Sequence, residues 1–219
     1  MKTEQPNFTY QLLNQATSSQ AIDCLCSVFS THEPLGKALG IRADELRPFV
    51  TDLVHYAVEN QLSWVAIHEA SSRLAGVKIF TDFEHDFIPD DYNNEKLDTI
   101  FKFLHSIYDY KKNDEGLENN KLLHCWMTAV WPEFQRQGVL RKMYQMGASW
   151  AYKQGYRHCI SEVTSQYNLA FLEKETEVTQ LNTLHYAQYE TQGTYPFLAA
   201  EDSKMCVLCR YLLKDTVAA

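Results

Sequence analysis

Apolar and polar residues alternate along Phe8 to Leu13, then switch to helical spacing at Ala21, Ile22, Leu25 and Phe29. The chain is therefore expected to open with a strand and an amphipathic helix that starts near Ser18-Ser19-Gln20. Ser30-Thr31-His32-Glu33-Pro34-Leu35-Gly36 breaks that helix, because proline disfavours helical geometry at Glu33 and removes a donor at position 34. A carboxylate is left on a bend. A second helix follows from about Ala43 to Asn60, with Leu46, Phe49, Val50, Leu53, Val54, Ala57 and Val58 on one stripe.

Ser63 to Glu69 and Leu74 to Phe83, rich in Val, Ile and Trp and joined by the polar Ala70-Ser71-Ser72-Arg73, predict a hairpin. Asp82, Glu84, Asp86, Asp90 and Asp91 crowd the next loop, a helix is expected from about Asn94 to Tyr108, and Lys111 to Asn120 is a polar loop. Leu122 to Trp131 is an apolar strand, Gln137 to Gln154 a helix, Arg157 to Val163 a strand and Ser165 to Lys174 a helix. Leu181 to Tyr189 and Lys204 to Leu213, separated by the turn-prone Thr191 to Pro196, are expected to pair as an antiparallel end of the sheet. The whole pattern predicts one α/β domain over residues 1–219, a mixed sheet with helices on both faces.

At 219 residues the chain is long enough for one well-packed core. There is no 18-residue apolar run that would cross a bilayer and no secretory signal after Met1, so no membrane is expected and the cytoplasm is the expected compartment. A net charge of −8 without a basic stripe argues against nucleic acid as a partner. Cys24, Cys26, Cys206 and Cys209 lack the turns and the matching histidines of a zinc site and are expected to be buried free thiols. The eight histidines show no pair at metal-ligand spacing, so no metal is expected.

The segment Val130-Trp131-Pro132-Glu133-Phe134-Gln135-Arg136-Gln137-Gly138-Val139-Leu140-Arg141 ends a strand, turns and opens a helix. Its first amides have no partner within the helix, so such a turn holds an anion. Gly138 removes the side chain that would keep a phosphate away, and Arg136 and Arg141 add countercharge. Gly-Lys-Ser/Thr and a three-glycine fingerprint are both absent, which sets aside a nucleotide triphosphatase loop and a dinucleotide site.

Val130-x-Pro132-Glu133-Phe134-Gln135-x-x-Gly138-Val139 resembles the acyl-CoA-binding motif of the GNAT acyltransferases, Gln/Arg-x-x-Gly-x-Gly/Ala, and the order of segments is similar over nearly the whole chain. The resemblance implies a GNAT-like, mostly antiparallel sheet of about seven strands. It implies acetyl-CoA as co-substrate, held by Val130, Trp131, Gln135, Arg136, Gln137, Gly138, Val139, Leu140 and Arg141, and by Ser165 and Asn168 on the following helix. The strand before the turn would splay from its neighbour, exposing amides near Val130 to the thioester carbonyl. Leu140 departs from the family's glycine or alanine. Leu172 stands where many relatives have the tyrosine that protonates the departing thiolate; Ser165, Tyr167 or water are the substitutes, or the sulfur, with a thiol pKa of about 8.5, leaves unaided.

An alkylammonium of pKa about 10.4 must lose a proton before it attacks, at a cost of roughly 4–5 kcal/mol at pH 7. A base is therefore expected. His32-Glu33-Pro34-Leu35 resembles the Asp-Glu-Pro-Leu motif of arylalkylamine N-acetyltransferases and implies Glu33 as that base. The expected activity is transfer of an acetyl group to a small-molecule primary amine by direct attack, in a monomer or homodimer. The alternatives are a non-catalytic acyl-CoA-binding or sensing module, and an acetyltransferase for a polyamine or a protein amine.

Overall fold

The computed structural model describes residues 7–108, 121–200 and 203–215. The polar segment expected as a loop at Lys111 to Asn120 lies outside them. Seven strands form one sheet in the order β1-β2-β3-β4-β5-β7-β6: β1 (Phe8–Leu12), β2 (Trp64–His68), β3 (Arg73–Asp82), β4 (Leu122–Val130), β5 (His158–Val163), β6 (Val178–His185) and β7 (Met205–Leu212). Among the described residues, five neighbouring pairs are antiparallel and one, β4 with β5, is parallel. β2 and β3 form the expected hairpin. The closing strands also pair antiparallel, with β7 between β5 and β6.

Six helices among the described residues cover the sheet: α1 (Gln15–Thr31), α2 (Pro34–Ala38), α3 (Ala43–Asn60), α4 (Glu95–Ser106), α5 (Val139–Lys153) and α6 (Gln166–Glu175). α1 starts three residues before the expected Ser18, because the Asn14 side chain accepts from the amide of Ala16 at 3.0 Å and closes a capping box with Thr17. The bend at Glu33 is itself the N-cap of the short α2. β6 starts at Val178 and not at Leu181, since Val178, Thr179 and Gln180 pair with Tyr211, Arg210 and Cys209 in spite of the exposed side chains of Thr179 and Gln180. Pairing with a neighbour overrides a weak alternation.

The core lies on both faces of the sheet. Val77, Ile79, Met127 and Ala129 pack with Leu25 of α1 and Val50 of α3 on one face. Phe80 and Cys125 pack with Tyr144 and Ala148 of α5 on the other. All six cysteines are free and buried. Cys206 and Cys209 enter different clusters, whereas Cys24 and Cys26 enter the same one, because α1 is covered by the sheet and by α3 together. No helix among the described residues is long and apolar enough to cross a membrane.

Two irregularities shape the centre. β4 runs nine residues, yet β5 pairs only with Leu122, Leu123 and His124. Beyond that point the strands part, and the edge of β4 that faces β5 has no strand partner. Ile79 faces Met127 while Phe80 faces Cys125, so Trp126 is an extra residue, a β-bulge. The bulge reverses the alternation, so that Cys125, Thr128 and Val130 belong to the α5 side, and Trp126 joins Met127 and Ala129 on the α1 and α3 side.

Candidate active site

The gap between β4 and β5 opens into a cavity of about 1960 Å³. Ligand pockets commonly hold about 300–1,000 Å³, so two reactants can share this one. One limb follows Val130, Gln135, Arg136, Gly138, Val139, Leu140 and Arg141 to the start of α5, and the other reaches Glu33 and the aromatic residues under α1, α3 and α4.

The donor limb is built by the turn after β4. Pro132–Phe134 form a 3-10 turn, Arg136 has φ +60°, and Gly138 caps α5 with φ +82°. That left-handed geometry suits glycine, and a Cβ there would meet nothing within 4 Å, so the turn's outer side is open space. The amides that open the 15-residue α5 face outward with the positive end of its dipole. The Gln135 side chain donates to the carbonyl of Val130 at 3.2 Å and holds the end of β4. Arg141 pairs with Glu175 at 2.7 Å, which cancels much of the countercharge expected of it, while Arg136 makes no ion pair among the described residues. Ser165, Tyr167 and Asn168 border the cavity at the start of α6, with Tyr167 largely exposed. Trp131 and Gln137 do not border it: Trp131 packs against the core and Gln137 donates to the carbonyl of Glu133.

On the other limb, the Oε2 of Glu33 accepts from the amide of Gly36 at 2.6 Å. Gly36 is required, because a Cβ would stand 2.6 Å from the carbonyl oxygen of Phe29 and push α2 off α1. Glu33 Oε1 is buried and has no hydrogen-bond partner. Burial pushes this carboxyl above its ordinary range, against the pull of the amides of Gly36 and Leu35 and of the neighbouring Thr164 side chain. The result is a carboxylate with one oxygen fixed by the Gly36 amide and the other close to the Thr164 side chain without a hydrogen bond of good geometry. The hydroxyl of Tyr186 fixes the Thr164 backbone by donating to its carbonyl at 2.7 Å.

The sequence reading missed a buried polar chain on the same limb. His124 Nδ1 lies 2.6 Å from Asp86 and Nε2 lies 3.0 Å from Glu162. Tyr108 donates to Glu162, and Trp126 Nε1 and Thr81 donate to Asp86 at 2.7 and 2.6 Å. Burial disfavours the charged ring, but Glu162 and Asp86 outweigh it and raise His124 to about 10. Both carboxyls are correspondingly held below their ordinary values despite burial. This clamp joins the acidic loop, β4, β5 and the end of α4 at the apex of the splay. Phe49, 5.1 Å from Phe101 and 6.2 Å from Trp126, adds an aromatic wall.

No protein-family model matches the sequence, and no curated protein matches it. Solved structures do. The C-terminal condensation domain of Ebony, determined with β-alanyl-dopamine, superposes with a TM-score of 0.83 at 17% identity over 94% of this chain and 99% of that one. Arylalkylamine N-acetyltransferase 2 from Aedes aegypti gives 0.82 at 16% identity over 95% and 100%. The Drosophila melanogaster polyamine N-acetyltransferase that forms N-acetylagmatine gives 0.69 at 15% over 94% and 99%. Agreement over whole chains at these identities concerns the course of the backbone, and with the splayed parallel pair and the turn before α5 it identifies the fold of this chain as that of the GNAT acetyltransferases.

Proposed function

We propose that the chain is an acetyl-CoA-dependent N-acetyltransferase for a small primary amine with an apolar, aromatic-compatible body, such as an arylalkylamine. The observation that carries this reading is the bare, buried Oε1 of Glu33 on the cavity that also reaches the start of α5. A buried carboxylate oxygen without a partner is costly unless something arrives to use it.

The residues of the donor limb fit the co-substrate. The amides that follow Gly138 and the side chain of Arg136 would hold its pyrophosphate, and the unpartnered edge of β4 would receive the amides of its arm. When bound, the thioester supplies an activated acyl group. Glu33 takes a proton from the ammonium, Phe49, Phe101 and Trp126 hold the body of the amine, and the free amine attacks the acyl carbon directly. Holding both reactants in one cavity replaces a bimolecular encounter with a positioned one. Asp86 and Glu162 outnumber His124 in charge, which leaves the acceptor limb attractive to a cation.

The test is a thermal shift with acetyl-CoA followed by thiol release with arylalkylamines, polyamines and amino acids. Stabilisation by acetyl-CoA together with release by an aromatic amine supports the proposal. Binding without release by any amine favours the acyl-CoA-sensing alternative, and no binding at millimolar concentration overturns the donor site.

A further inference from the structure

Lysine is almost never fully buried without a partner. Lys78, in the middle of β3, is 1% exposed and forms no ion pair among the described residues. Its Nζ donates to Thr128 Oγ1 at 3.0 Å and to Cys125 Sγ at 3.1 Å, and it lies 5.0 Å from the centre of the Phe80 ring. Lys78 faces Thr128 directly in the β3–β4 register. Thr128 and Cys125 both border the cavity, and the bulge at Trp126 has placed them on its α5 side.

The position matters because of what develops there. In the acyl transfer proposed above, the nitrogen–carbon bond forms, the carbon–sulfur bond breaks, and the electron pair of that bond leaves on sulfur. Negative charge appears on the α5 side of the splay, the side on which the donor limb runs. Leu172, 2% exposed, holds the position where the resemblance places a tyrosine acid, and it has no proton to give. Thr128 Oγ1 accepts from Lys78 and lies 3.7 Å from Cys125 Sγ, a contact in which either atom can donate; with the thiol donating to the Thr128 oxygen, the Thr128 hydrogen is free to point into the cavity that the residue borders.

We propose that the Thr128 hydroxyl donates a hydrogen bond to the departing sulfur, and that Lys78 is the positioning residue that orients and polarises this hydroxyl. The inference rests on the function proposed above. No proton is transferred to sulfur on the enzyme: after Glu33 has taken the first proton of the ammonium, the proton that the nitrogen sheds on becoming an amide passes to water, and sulfur leaves as a thiolate stabilised by the hydroxyl and by the Lys78 amine behind it, taking its proton from water after release.

The experiment follows the thiol of bound CoA by the ultraviolet absorbance of its thiolate across pH, for wild type, Thr128→Val, Lys78→Met and the double variant, with kcat and KM for acetyl-CoA measured alongside. On the wild type, CoA should ionise about one pH unit below the free thiol value near 8.5, roughly a tenfold preference for the thiolate. Each single variant should lose that preference and lower kcat about 10- to 100-fold with KM retained, in the range of a lost charge-stabilising donor. The double variant should be no worse than the single ones. Equal ionisation in all four proteins, each still binding CoA, overturns the role of Thr128 and Lys78 and leaves the acetyltransferase reading standing. A wild type that binds no CoA overturns both. Should Lys78→Met fail to fold, Thr128→Val, which keeps the shape at a half-buried position, decides alone.

Discussion

Replacing Glu33 by glutamine tests the acceptor site with little disturbance of the fold. Glutamine retains an oxygen that caps the Gly36 amide, so α2 stays anchored and the unfolding free energy should fall by less than the roughly 1 kcal/mol of a lost N-cap. Its bare end can no longer take a proton. For an amine of pKa about 10.4 at pH 7, the free base is about 3.4 units away, or roughly 4.6 kcal/mol. A positioned base returns about 10²- to 10⁴-fold of that. The expected result is a fall in kcat/KM of that size at pH 7 with acetyl-CoA stabilisation unchanged. The pH profile is more diagnostic than the size. Burial raises the Glu33 carboxyl, so wild-type activity should fall as pH drops through that raised value. The variant should lack this limb and climb about tenfold per pH unit toward the pKa of the amine, so its deficit shrinks as pH rises. A deficit that is constant across pH, or a variant within threefold of wild type at pH 7, would refute the assignment of Glu33 as base.

Two further perturbations address the frame of the site. Glu162→Gln keeps a partner for Tyr108 but leaves His124 with Asp86 alone, and breaking such a buried pair should cost about 3–5 kcal/mol, read by denaturant unfolding. His124 is raised to about 10, so its contribution is full below its ordinary value of about 6.5 and is lost as pH rises toward 10; the lowered Asp86 and Glu162 contribute above the ordinary carboxylate range and lose that contribution as pH falls. The stability gap between wild type and variant should therefore narrow from pH 6.5 to 10, and a gap that widens there would contradict the clamp. Gly138→Ala forces a side chain into φ +82° and into the open space at the α5 N-terminus; it should cost about 1 kcal/mol of stability and most of the thermal shift with acetyl-CoA, and full affinity would remove the turn from the donor site.

The parts of this molecule that were legible in its sequence are those set by short-range pattern. The hairpin from Trp64 to Asp82, the helical stripe from Ala43 to Asn60 and the strand-turn-helix around Gly138 follow from period, turn residues and backbone freedom within a window of a dozen residues. Glu33 was visible because Pro34 forces a break beside it. The clamp was not: Asp86, His124 and Glu162 stand 38 residues apart along the chain on a loop and two strands, and none sits in a motif. The bulge at Trp126 was equally hidden, since one inserted residue leaves the local composition apolar and changes only which face each side chain takes. Lys78 did leave a trace. A lysine between Val77 and Ile79, inside a strand otherwise apolar on both sides, is a charge that the sheet must bury, and the bare pattern asks what it is buried for.

The bulge is the step that connects these observations. Without the extra residue, strict alternation would put Trp126 on the same face as Thr128 and Val130, and Cys125 with Met127 on the other. The aromatic wall of the acceptor limb would then stand on the α5 side, and the thiol and hydroxyl that contact Lys78 could not share a face. With it, β4 presents Trp126 toward the limb that holds Glu33, and Cys125 and Thr128 toward Lys78 and α5. In the proposed reaction, one strand thus separates the side where a proton would be removed from the side where negative charge would depart. The split occurs just past His124, where β5 stops pairing and the His124–Glu162 contact pins the apex of the gap. Deleting Trp126 should therefore remove both the Glu33-dependent limb of the pH profile and the thiolate preference of bound CoA, whereas a change confined to one side, Glu33→Gln or Thr128→Val, should remove only one of them. A deletion that retained either behaviour would show that the bulge does not divide the site.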